Sequence, residues 1–310
     1  GRVNVETLLR TPGGEPRAAS RVAAFGVIVA ASSVAVGGMA LQLAAATPLA
    51  RLARDLRLPL DQLATVLTLL FATWLTGRLI HRDGWATWRE AGLGRGAWTV
   101  GPLVSAFAAG LGVVLVPAAL LLGTGAARFE PAMATDSPAF VTWSAVALLA
   151  PAALAEELLF RGYVFGACLG GVGRVGAVVV TSVAFGLAHL FNPGPTVASI
   201  AGVTCAGVFL AVVRLSTGSL VTAGMAHFGV NFAQAAVLHA SVSGLALQAP
   251  GYRYVATGPA WLTGGAWGPE AGLVTVAAFA AASFLYLKWW RRAPDGTPAA
   301  ASSPTGTPND

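Results

Sequence analysis

The sequence predicts an all-α, polytopic integral membrane protein with about eight transmembrane helices. Three observations predict it: charged residues make up only 10% of the 310, hydrophobic residues reach 55%, and the mean hydropathy is +0.69. Soluble domains carry about 25% charged residues and bury far less apolar material in one core. An ordinary soluble globule and a disordered chain are thereby excluded. Cys168 and Cys205 are the only cysteines, which excludes a disulfide scaffold and makes both read as buried free thiols.

A spanning helix needs about 20 apolar residues, so charge-free runs bounded by turn residues mark the elements. The first runs from about Val22 to Ala46 and the second from Leu63 to Gly77, with Arg51, Arg54 and Arg57 in the linker. The third covers Trp98–Leu122. The fourth runs from Ala139 through Glu156 and Glu157 towards Gly166, and the fifth covers Val175–Phe191, so the two form a hairpin turning near Gly171. Asn192-Pro-Gly-Pro195 separates the fifth from the sixth, Val197–Val213; the seventh is Leu220–His239 and the eighth Ala271–Leu287. Residues 1–20 read as a polar tail, 21–293 as the transmembrane domain with a motif-bearing core at 139–240, and the Pro/Thr/Ser/Ala-rich 294–310 as a disordered tail. The aromatic-containing stretch Ser241–Glu270 reads as a loop at the outer interface.

A net charge of +6 would suit nucleic acid, but the arginines form no stripe along a polar face, and no nucleic-acid partner is expected. They report topology instead. Alternating sides place most basic residues with the two termini, which are therefore expected to be cytoplasmic, while Arg51, Arg54, Arg57, Arg128 and Arg253 fall opposite. The Ala/Arg/Gly-rich, nearly Lys-free composition fits a prokaryotic cell membrane.

Glu156 and Glu157 are the only acids that interrupt an apolar run. A charge at the bilayer centre costs about 2.5–3.5 kcal/mol on insertion scales, so an intramembrane acid points to function. Glu157 and Arg161 stand four apart on one helix face and can neutralise each other. Glu156, about 100° round the helix, then lacks a local partner and suits proton transfer. His189 and His227 are the main titratable groups of their runs. Phe185 lies one turn before His189, and Asn231 shares a face with His227, where both can donate to one oxygen.

The set Glu156-Glu157-x-x-x-Arg161, Phe185-x-x-x-His189 and His227-x-x-x-Asn231 resembles the CPBP family, also called the ABI family, which includes the type II CAAX prenyl endopeptidases. The resemblance spans about residues 139–240. It implies intramembrane peptide-bond hydrolysis in which Glu156 activates a water with help from His189, while His227 and Asn231 form the oxyanion hole. It implies peptide or protein substrates in or at the membrane, lipid-anchored ones included, without requiring a prenyl group. A site of two His and a Glu can hold zinc, but the chain lacks the His-Glu-x-x-His helix of zincins. A metal-independent mechanism with no cofactor is the favoured reading. Two other readings stand beside it: a transporter or proton relay, and a non-catalytic immunity or partner-binding protein. Glu156→Gln separates the three.

Overall fold

The computed structural model describes residues 16–133 and 136–290. The tail expected at 294–310 and most of the one at 1–20 lie outside these residues. The architecture is mainly helical. Helix α1 (Ala18–Ala46) contains a π-turn at Ser33–Gly37; α2 (Leu49–Asp55), α3 (Leu60–His81), α4 (Gly84–Glu90) and α5 (Val100–Gly123) follow. Strand β1 (Ala127–Pro131) leads to α6 (Pro138–Glu157), a π-turn (Leu158–Gly162) and α7 (Tyr163–Ala188). Then come α8 (Val197–Thr217), α9 (Leu220–Phe232) with a terminal π-turn (Ala233–Leu238), strand β2 (Tyr252–Ala256), α10 (Ala260–Thr263) and α11 (Leu273–Trp290).

Local chemistry sets several boundaries. Ser137 caps α6 by accepting from the Phe140 N–H, with Pro138 at the first helical position. Thr196 and Ser199 form a reciprocal capping box on α8, which ends at Gly218 in the left-handed region. Ser219 caps α9 and donates its hydroxyl to Ala97 O, tying that end to the segment before α5.

Five described helices are long and apolar enough to cross a membrane: Ala18–Ala46, Leu60–His81, Val100–Gly123, Pro138–Phe191 and Val197–Thr217. The expected eight do not all reach that length, since the apolar part of α11, Leu273–Lys288, is shorter and α9 leaves regular geometry at Phe232. The fourth of these spans folds back on itself. Gly173, at φ 73° and ψ −177°, breaks α7 into two arms, two residues beyond the expected turn. Cys168 packs with Ala177, and Phe160 and Arg161 pack on Phe185, so the arms run antiparallel about Gly173.

The mainly helical architecture agrees with the expected all-α class; among the described residues a short ribbon pairs β1 with β2 antiparallel, from Ala127 opposite Ala256 to Pro131 opposite Tyr252. Of the aromatics in the stretch Ser241–Glu270, Tyr252 and Trp261 are exposed. Tyr254, Trp267 and Glu270 are buried, and the segment packs into the protein beside β1. Both cysteines are free, Cys168 buried and Cys205 partly so.

The core gathers α5, α8, α9 and α11 around Phe209, Leu210, Val213, Val230 and Phe279. Two glycines let α5 and α9 touch along their backbones: a Cβ on Gly110 would collide with Ala226 O, and one on Gly229 with Phe107 O. Gly110→Ala and Gly229→Ala are each expected to lose about 1–3 kcal/mol, as overpacked positions do. Gly112→Ala, with nothing within 4 Å, should unfold at or above the wild-type temperature. Thermal unfolding in detergent checks this; equal midpoints for the three variants would remove the close-approach argument.

Candidate active site

The π-turn after Glu157 is where the acidic pair is set. Such turns insert one residue into the helical ladder and favour functional sites. Here the turn leaves Arg161 O to accept from Arg214 Nε at 3.1 Å, while Arg214 Nη2 also reaches Glu90 O at 2.9 Å. Arg161 is fully buried. Its Nη1 donates to Glu157 Oε1 at 3.2 Å, its Nη2 to Gly207 O at 2.9 Å, and its guanidinium lies 4.3 Å from the centre of the Phe185 ring.

Glu157 does more than pair with Arg161. The same Oε1 accepts from His227 Nδ1 at 3.0 Å, which joins α6 to α9 through a wholly buried carboxylate. The sequence spacing showed only the first of these bonds. With Nδ1–H assigned to Glu157, His227 turns Nε2 towards Glu156 Oε2 at 3.8 Å. His189 is set the same way by a different acceptor: its Nδ1–H donates to Phe185 O at 2.8 Å, leaving Nε2 4.0 Å from the same Oε2. Phe185 packs on both rings, with centroids 4.7 Å from His189 and 5.8 Å from His227.

Glu156 itself is partly exposed, at 37% of its side chain, yet Oε2 is buried and receives no hydrogen bond from the described residues. Three acceptor atoms, one carboxylate oxygen and two imidazole nitrogens, therefore face one another. A water molecule has the two hydrogens that such a set lacks. Beside them lies a cavity of about 20 Å³, lined by Phe185, His189, His227, Asn231, Gln234 and Glu270 among others, with room for one water. Asn231, 8% exposed, opens onto it from the turn of α9 after His227. Among the described residues no group of three His, Cys, Asp or Glu side chains is arranged to hold a metal ion.

The structure thus brings Glu156, Glu157, Arg161, Phe185, His189, His227 and Asn231 into one site. It adds three residues that the sequence reading left out. Arg214 supports the π-turn, and Gln234 and Glu270 line the cavity. A signal for Glu270 existed, since it is the sole acid between Glu157 and Asp295. Burial pushes its carboxyl up to about 7, against the opposing pull of the Ser243 N–H that it accepts.

The motif residues fall within one continuous stretch. Residues 138–233 match the Rce1-like family model, described as type II CAAX prenyl endopeptidase Rce1-like. Over this stretch the chain is similar to that family. The match covers less than half of the chain and includes α6 to α9 with every predicted site residue; Glu270 lies beyond it. No curated protein and no solved structure gives a match. At the level of the family, the Rce1-like stretch supports a CAAX-protease-like intramembrane endopeptidase, in accord with the apolar helices that carry it.

Proposed function

We propose that the protein is an intramembrane endopeptidase that hydrolyses peptide bonds with a water activated by Glu156. The approach of His189 Nε2 and His227 Nε2 to Glu156 Oε2, at 4.0 and 3.8 Å, carries the proposal. A water donating one hydrogen to Glu156 Oε2 and the other to His189 Nε2 would hold a lone pair free for a carbonyl carbon. Attack forms the C–O bond as the water's proton passes to Glu156. The resulting oxyanion would face Asn231 Nδ2 and His227. Because Glu157 holds the His227 Nδ1–H, His227 would donate to the oxyanion only after taking up a further proton from solvent at Nε2, and the Glu157 carboxylate is placed to balance that charge; otherwise Asn231 is the donor. Collapse breaks the C–N bond, and the proton on Glu156 goes to the departing amine.

The substrates this reading favours are peptides or proteins in or anchored to the membrane, processed in the manner of CAAX proteases. The protein would reside in a prokaryotic cell membrane with both termini in the cytoplasm. The test is hydrolysis of a mixed panel of prenylated and unmodified fluorogenic peptides by detergent-purified protein, with Glu156→Gln and a strong zinc chelator as parallel arms. Cleavage that the variant loses and the chelator spares is the expected result. Cleavage abolished by the chelator would replace the metal-free step, and identical backgrounds for wild type and variant would sink the protease reading.

His189→Ala and Asn231→Ala separate the two halves of the mechanism. Removing one oxyanion donor costs about 10²–10³ in kcat in other hydrolases, and Asn231→Ala should fall in that range with KM little changed. His189→Ala should lower kcat by about 10²-fold or more through loss of water positioning. Unchanged kcat in either variant would remove that residue from the mechanism.

A further inference from the structure

The reaction outlined above leaves Glu270 without a task. It sits in the turn Pro269–Ala271, 2% exposed, facing the cavity that His189, His227 and Asn231 also line. Both its oxygens are engaged by neutral donors. Ser243 N–H donates to Oε1 at 2.6 Å. The Gln234 amide, oriented with its nitrogen towards two acceptors, donates to Glu270 Oε2 and to Ser241 O.

These bonds hold one wall. Ser243 belongs to the tight turn in which Val242 and Leu245 bridge each other, and its carbonyl accepts from Asn192 Nδ2 at 2.8 Å, three residues after His189. Gly244 N–H donates to Trp267 O at 2.8 Å, and Val242 packs against Ala145, Leu149 and Ala235. Ser241, Gly268 and Pro269 line a larger vestibule of about 600 Å³, together with His239, Arg253 and Tyr254. Ser243, Gln234 and Glu270 line the small cavity instead. The same turn thus divides a peptide-sized chamber from a water-sized one.

We infer that Glu270 is a positioning residue for the hydrolysis, its carboxylate fixing Ser243 and Gln234 as the wall between vestibule and catalytic cavity. The inference rests on the proposed protease reading. Gln234 is three residues beyond Asn231, so the same bond steadies the part of α9 that presents Asn231. The ionised carboxylate accepts from both donors, whereas its protonated form sets a hydrogen against one of them. Titratable groups facing the cavity are His227 from α9 and His189 from the turn that follows α7; α8 and α11 contribute Gly202 and Phe279 around Glu270 and the cavity. Since both histidines persist in a Glu270 variant, the difference between the two pH profiles reports Glu270.

The experiment uses the full chain in detergent, comparing wild type with Glu270→Gln, Gln234→Met and the double variant. Glu270→Gln puts an amide N–H against the Gln234 amide, and kcat should fall about tenfold, the size expected for losing a hydrogen bond to a charged group. The decline of wild-type activity below about pH 7 should shift or vanish in Glu270→Gln. Gln234→Met should produce a similar loss, and the two losses should not add. Asp55→Asn, an exposed change at the end of α2, should leave activity as it was. A readout free of activity is the thiol Val242→Cys in a background with Cys168 and Cys205 replaced by Ser. A water-soluble maleimide should label it faster when Glu270 is Gln. Wild-type kcat, pH profile and labelling rate in Glu270→Gln would overturn the inference. If the wild type cleaves no peptide, the protease reading falls and labelling alone decides the wall: a faster rate upholds it and an unchanged rate overturns it.

Discussion

Glu156→Gln is expected to lower kcat by about 10²- to 10⁴-fold, the range of a lost general acid–base group. Gln keeps the size and polarity of the side chain but cannot take a proton from water. Folding should be almost untouched, because Glu156 is partly exposed and its Oε2 has no hydrogen bond from the described residues to lose. KM should also change little, since the amide still accepts a hydrogen bond. Rates of hydrolysis measured beside thermal unfolding check both halves. A variant that unfolds at the wild-type temperature yet keeps full activity would take Glu156 out of the reaction.

Arg161→Leu should have the largest effect on stability. It leaves Glu157 charged and wholly buried, and removing one partner of a buried pair costs about 3–5 kcal/mol. Gly207 O loses its donor as well, and the contact with Phe185 changes from guanidinium to alkyl. The combined variant Glu157→Leu with Arg161→Leu should recover much of that loss, as apolar replacement of buried pairs often does. It should not recover activity. Without Glu157, His227 Nδ1–H has no carboxylate acceptor, and neither its rotamer nor its charge is held. A stable double variant that hydrolyses peptide at the wild-type rate would show that the His227–Glu157 bond does not serve the chemistry.

The parts legible in the sequence were those with a local cause. Glu156 and Glu157 stood out because charge is scarce in apolar runs, and Arg161 was paired with Glu157 by helical spacing. Phe185 was placed near His189 for the same reason, and the fourth and fifth apolar runs were expected to fold back near Gly171, close to the break at Gly173 inside α7. What escaped was long-range. The bond from Glu157 to His227 joins residues 70 apart, and no spacing rule connects them. Strands β1 and β2 are short, separated by a long insertion, and individually too weak in pattern to announce a pairing. Glu270 was lost for a subtler reason: the Gly/Pro/aromatic composition around it reads as a surface loop, and nothing local signals that Tyr254, Trp267 and Glu270 turn inward while Tyr252 and Trp261 stay exposed.

The hairpin at Gly173 has a consequence for the lengths this chain tolerates. Glu156 stands 17 residues before Gly173 and His189 stands 16 after it, so their meeting depends on two arms of nearly matched count. Inserting one residue into either arm would advance its end by about 1.5 Å and turn it by about 100°, enough to face Glu156 or His189 away from the other. The stretch linking them should therefore be intolerant of insertions and deletions, while the connection between α2 and α3, which carries no residue of the site, can change length. A library of single-residue insertions confined to the stretch from α6 to the start of α8 and scored for hydrolysis would appear as a silent interval bounded by those two residues.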